Sequence, residues 1–67
     1  MSKYRETVLG ILSLNNIKST NQVLKEVEEK SGKSINWHML YRVLMELKNE
    51  GKVERIETKA GFFWKKK

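Results

Sequence analysis

The 67 residues carry 14 Lys and Arg against 8 acidic residues, a formal charge of +6, and 39% of them are apolar. The absence of Cys excludes disulfides, and one His with no Asp leaves any zinc or calcium site to be built almost entirely from glutamates, so no metal or other cofactor is expected. A chain of this length is expected to form one small domain that buries roughly 60% of the surface its unfolded form exposes, and scaffolds of that size are often completed by a partner subunit.

In chain order, Tyr4, Val8, Ile11 and Leu12 recur at helical spacing, with Leu9 beside them, and predict a first helix over 3–14 that Asn15-Asn16 ends. Gly10 inside it disfavours helix by roughly 1 kcal/mol against Ala and suggests close approach of a neighbouring helix. Ile17-Lys18 fits a short strand. Ser19 with Gln22 three residues on matches a capping box, in which the hydroxyl takes a free backbone N–H and the amide reaches back. That box starts a second helix over 20–31. Its buried stripe is Val23, Leu24 and Val27, its solvent face is Lys25, Glu26, Glu28 and Glu29, and Gly32 is the natural stop.

The third helix, 37–50, has the clearest start. Asn36 is a strong N-cap residue, and Ile35 and Leu40 stand at the two positions of a hydrophobic staple. Leu40, Val43, Leu44 and Leu47 line one face, and Gly51 closes the helix. Two helices joined by a short turn containing Gly32 form a helix-turn-helix. Beyond Gly51 the residues from Val53 to Glu57, the turn Thr58-Lys59-Ala60-Gly61 and the aromatic run Phe62-Phe63-Trp64 predict a β-hairpin over 53–65. Alternation puts Phe63 opposite Phe62 and Trp64 and leaves open which set packs inward. Val53 and Ile56 are out of phase, which implies a bulge or a strong twist. The fold class that follows is α+β, three helices followed by a hairpin.

The charge is uneven. Residues 1–22 carry +2 (Lys3, Arg5, Lys18 against Glu6) and 23–29 carry −2 (Lys25 against Glu26, Glu28, Glu29). Residues 30–45 hold +3 (Lys30, Lys33, Arg42) with no acid, 46–57 give −1, and 58–67 hold +4 (Lys59, Lys65, Lys66, Lys67), again with no acid. Two acid-free basic stretches separated by a balanced one suit two contact elements of one anion-binding face. The pI near 9.8 agrees, and it favours nucleic acid over a membrane surface as partner. No apolar run reaches 18 residues, and the opening Met-Ser-Lys-Tyr-Arg-Glu does not resemble a signal peptide, so a soluble cytoplasmic protein without a membrane partner is the expectation.

The phrase Leu40-Tyr41-Arg42-Val43-Leu44-Met45-Glu46-Leu47-Lys48-Asn49-Glu50-Gly51-Lys52-Val53, followed by an aromatic second strand, resembles the winged helix-turn-helix family of DNA-binding domains. The resemblance covers nearly the whole chain. It implies a small winged helix-turn-helix fold whose recognition helix, 37–50, lies in the major groove and whose wing touches the backbone or minor groove. It also implies double-stranded DNA as partner and transcription regulation as the role, and a homodimer is expected because one recognition helix reads only a few base pairs and two-fold symmetry doubles the site. By position, the outer face of the third helix bears His38, Arg42, Met45 and Asn49, flanked by Trp37 and Tyr41. Arg42 is then the candidate for bidentate contact with guanine, His38 for a base or phosphate, and Tyr41 for a phosphate. Lys33, Ser34 and Asn36, with the backbone N–H groups of the helix start, hold the duplex through phosphates. Lys59 at the wing tip and Lys65 add contacts on the other side. A narrower similarity to the Z-form-specific winged helices rests on Trp64 and the Arg-Val-Leu phrase. Tyr41 and Met45 stand where those domains carry Asn and Tyr, and the chain has no proline, which puts left-handed DNA behind the ordinary duplex.

Each of these residues also has a plainer role. As a DNA-binding candidate Trp37 is placed to insert into DNA or stack on a sugar, but an aromatic at a helix start more often folds back over the core edge, so burial is the favoured expectation. Arg42 has a surface ion pair available with Glu46, four residues on. Met45 on an outer face implies a rotated helix or a covering partner. His38 stands outside any nucleophile motif, no phosphate-binding Gly-rich loop occurs, and the chain is short for a substrate pocket, so neither an enzyme nor a small-molecule substrate is expected. The rival to DNA binding is a protein-interaction module of a larger assembly, with Met45, Trp37 and Tyr41 as an apolar patch.

Overall fold

Ser19 and Asn36 set the frame, because each ends an extended stretch and starts a helix. In the computed structural model, which describes residues 4–67, the Ser19 hydroxyl accepts the Gln22 N–H at 3.1 Å and launches α2 (Thr20–Ser31). Asn36 launches α3 (Trp37–Asn49) in the same way, its Oδ1 accepting the His38 N–H at 2.7 Å. The expected stops hold as well. Gly32 and Gly51 both take left-handed φ, 70° and 77°, the first at the end of α2 and the second just past the Glu50 cap of α3.

The first helix, α1 (Arg5–Ile11), is shorter than the predicted 3–14. Residue 3 lies outside the described residues, Tyr4 is the N-cap, and Leu12 is already extended at φ −77°, ψ 153°. The chain leaves the helix early because the sheet draws it away. Lys18 reaches back to donate to the Ile11 carbonyl at 3.0 Å and to Glu26 Oε1 at 2.9 Å, and the Ser13 carbonyl accepts the Lys66 N–H at 2.9 Å. A lysine on the last carbonyl of a helix satisfies an orphan acceptor and suits the dipole. Gly10 plays no packing role: it is exposed, and a Cβ there would meet nothing within 4 Å.

Three antiparallel strands, β1 (Lys18–Ser19), β2 (Val53–Thr58) and β3 (Gly61–Lys66), lie in the order β1-β3-β2. The β2–β3 register runs unbroken from Val53↔Lys66 to Thr58↔Gly61, so the expected bulge is absent. The phase is kept because Arg55, not Ile56, follows Val53 on the inner face. Ile56 pairs with Phe63 on the outer face, both half-buried. Trp64, opposite Arg55 on one side and Lys18 on the other, is fully buried and identifies its own face as the inner one.

The core lies between this inner face and the helices. It joins Val8 and Ile11 of α1, Val23 and Val27 of α2, Leu40, Val43, Leu44 and Leu47 of α3, and Val53 and Trp64 of the sheet. Ile35 and Leu40 are both buried, as a staple requires. Two of the four α2 residues expected to face water do more. Glu26 holds Lys18, and Glu28 Oε2 accepts the Ile35 N–H at 2.9 Å, which pins the turn into α3. The result is an α+β domain with the layout of a winged helix. Among the described residues no helix is long and apolar enough to cross a membrane.

Candidate nucleic-acid interface

Burial of Leu40, Val43, Leu44 and Leu47 fixes the rotation of α3 and turns His38, Arg42 and Asn49 to solvent on the opposite face. Met45 is half-buried against the core. Neither a rotated helix nor a second chain is needed to cover it, because Arg55 of β2 does so, with Nη1 3.9 Å from the Met45 sulfur.

Arg55 organises the aromatic side of the helix. Its Nη1 donates to the Tyr41 hydroxyl at 2.9 Å, and its guanidinium carbon lies 4.8 Å from the centre of the Phe62 ring. Tyr41 meets Trp64 edge-on at 6.0 Å and stacks on Trp37 at 5.1 Å with the rings 11° apart. Trp37 is therefore not folded over the core edge, as expected from its position, but 40% exposed. The physical reason is Tyr41, one turn further along, which offers a parallel ring on the helix surface. A tyrosine hydroxyl that accepts from a guanidinium keeps its own proton free for an anionic acceptor.

The ion pairs leave this face basic. Glu46, the expected partner of Arg42, turns instead to Arg5 of α1 at 3.5 Å, and Arg5 also bonds Glu50. That second bond holds the Glu50 carboxyl below its ordinary value and raises the Arg5 guanidinium. Among the described residues, Lys33, Arg42 and Lys59 have no carboxylate within ion-pair distance. Lys65 differs. It pairs with Glu54 at 3.7 Å across the outer face of the sheet, opposite to Trp64, and is not brought to the α3 side.

Lys33, Ser34 and Asn36 are all exposed in the turn before α3. Asn36 spends its side-chain oxygen on the cap, which leaves only its amide N–H groups for an outside partner. At the wing tip, Lys59 and Ala60 form a tight turn. Thr58 Oγ1 accepts the Ala60 N–H at 3.1 Å and donates to the Gly61 carbonyl at 2.9 Å, while Gly61 takes φ 122°, a conformation open to glycine alone. A cleft of about 210 Å³ joins the wing tip to the helix start, lined by the N-cap Ser19, by Thr20 and Asn21 in α2's first turn, by Trp37, and by Ala60, Gly61 and Phe62.

Arg55 and Asn21 also belong to this surface, and the apolar pattern of the sequence does not mark them. The signal for Arg55 is its phase, two residues after an inward Val53. Among the described residues no group of three or more His, Cys, Asp or Glu side chains is placed to hold a metal. Comparison with family models, with curated proteins and with solved structures finds no match to this chain.

Proposed function

We propose that this domain binds double-stranded DNA sequence-specifically and acts in the cytoplasm as a transcription regulator, with α3 in the major groove and the wing tip on the backbone or minor groove. The partition of charge carries the reading. Five of the eight glutamates, Glu26, Glu46, Glu50, Glu54 and Glu57, are engaged with Lys18, Arg5, Lys52, Lys65 and Arg55, and among the described cations without a carboxylate partner Arg42, Lys33 and Lys59 stand at the outer face of α3, the turn before it and the wing tip. Unpaired cations on an exposed helix face and on a neighbouring turn suit a polyanion whose grooves and phosphates they can meet together. A homodimer is part of the reading, since one recognition helix reads only a few base pairs and two-fold symmetry doubles the site. Exposed Leu14 and Ile17 on the α1–β1 connection, with Ile56 and Phe63 on the uncovered sheet face, supply apolar surface for it.

The test is binding to duplex DNA across a salt series, with Arg42→Ala and Lys59→Ala beside the native chain. Contact with about 4–5 phosphates gives a log–log slope near −4. Arg42→Ala is expected to relax sequence preference, and Lys59→Ala to weaken all sequences alike. Micromolar or weaker affinity with a flat salt response at every sequence tried would overturn the proposal in favour of a protein partner. Sedimentation at the same concentrations tests the dimer.

A further inference from the structure

We infer that the cleft between Trp37 and the wing tip takes a single unstacked nucleobase, so that the domain prefers duplexes carrying an unpaired nucleotide beside the site. The inference rests on the DNA-binding reading above and names a substrate feature that reading does not require.

At about 210 Å³ the cleft is too small for the drug-sized or cofactor ligands that fill roughly 300–1,000 Å³. A volume of this order takes one planar heterocycle and little more. Trp37 forms an aromatic wall, and its indole is held in place by stacking on Tyr41, so the ring is presented without having to be ordered on binding. Phe62, 36% exposed, contributes a second ring to the lining. The polar lining comes from the start of α2. The Asn21 side chain offers a carbonyl and an amide, the paired acceptor and donor that match a base edge, and it is exposed. Thr20 is spoken for, its hydroxyl accepting from Trp64 and donating to the Phe62 carbonyl, which makes that wall rigid.

Lysines stand near the cleft, and the acidic residue nearest by strand pairing, Glu57 opposite Phe62, is engaged by Arg55 at 3.6 Å. No acidic residue lines the cleft. Lys59 adjoins Ala60 in the wing turn, and Lys25 lies one helical turn beyond Asn21. Among the described residues neither has a carboxylate within ion-pair distance. Aromatic rings flanked by free lysines are what a base and its two phosphates require. A fully stacked base pair exposes only its edges and cannot enter such a slot, whereas a bulged nucleotide pays no unpairing energy to do so.

The experiment compares one duplex of random sequence with the same duplex carrying a single bulged 2-aminopurine, at equal salt. The expected result is at least roughly fivefold tighter binding of the bulged duplex, the lower end of what one base–aromatic stack supplies. Quenching of 2-aminopurine and of Trp37 fluorescence should accompany it, while the enclosed Trp64 remains unquenched. Trp37→Ala should bring the ratio of bulged-duplex to paired-duplex affinity to one, whatever its effect on the paired duplex, and Trp37→Phe should keep part of the preference. Ala60→Leu, which fills the cleft from the wing side, should abolish it as well. Equal affinity for both duplexes with a steep salt dependence overturns the inference and leaves the DNA-binding reading standing. Binding of neither overturns that reading and the inference with it.

Discussion

The indole N–H of Trp64 donates to the hydroxyl of Thr20 at 2.8 Å, across 44 residues of chain and in full burial. This bond ties the middle of β3 to the first turn of α2, and the Thr20 bond to the Phe62 carbonyl adds a second tie between the same two elements. Thr20→Val keeps the shape and strands a buried donor, so the variant should lose roughly 1–3 kcal/mol. For a domain of this size each kcal/mol is about 4–8 °C in melting temperature. Thr20→Ser, which retains the hydroxyl, should lose less than Thr20→Val. Thermal melts by circular dichroism check both, and a Thr20→Val protein as stable as the native chain would show that the indole finds another partner.

The Arg5 bonds to Glu46 and Glu50 clamp the start of α1 to the end of α3 and predict how stability follows pH. Glu50 titrates below its ordinary value of 4.5 because it accepts from the Arg5 guanidinium, with Arg5 and Lys52 adding attraction. A carboxyl lowered on folding contributes stability that is fully present above its unfolded value and is lost as pH falls through the folded one. Arg5, raised by the same bond, stays charged throughout and adds no slope in this range. Melting temperatures measured from pH 6 to pH 2 should therefore fall more steeply for the native chain below about pH 4.5 than for Glu50→Gln. High salt should narrow the difference, because the pair is near the surface.

Gly10 offers a gain in stability. It lies in the last turn of α1 with negative φ, is exposed, and leaves open space where a Cβ would stand. Gly10→Ala should raise stability by about 0.4–1 kcal/mol by restricting the unfolded chain and favouring helix. Urea unfolding should show a higher midpoint with an unchanged slope.

The helix starts and stops were legible from sequence because they depend on single residues with local chemistry. Ser19, Gly32, Asn36 and Gly51 each act within a few residues of their position, and each does what its type predicts. The end of α1 was not legible, since it is decided by Lys18 and Lys66, contacts that exist only once the sheet has formed. The outward face of α3 could be read from its apolar period, but not the rotamer of Trp37, which depends on the plane of Tyr41, nor the cover over Met45. Arg55 misled for a plainer reason. An arginine in an inward strand position breaks the alternation of apolar residues, and the break looks like a bulge. Its long stem and flat guanidinium serve as inner-face surface instead.

The bond from Arg55 to Tyr41 separates stability from binding on the same face. Arg55→Ala removes that bond, the cation over Phe62 and the cover on Met45, and should cost about 1–2 kcal/mol in unfolding free energy. Tyr41→Phe removes only the hydroxyl, keeps the stack on Trp37 and the edge contact with Trp64, and leaves Arg55 partly open to water, so it should cost about 0.5–1.5 kcal/mol. The double variant should be less destabilised than the sum of the two, by the energy of the shared bond. On the proposed DNA-binding reading, with Tyr41 giving its free proton to a phosphate, Tyr41→Phe should also weaken every DNA sequence by the same factor. The salt slope should stay unchanged, because the hydroxyl carries no charge and releases no counterion. Loss of sequence preference in Tyr41→Phe would instead place its hydroxyl on a base edge.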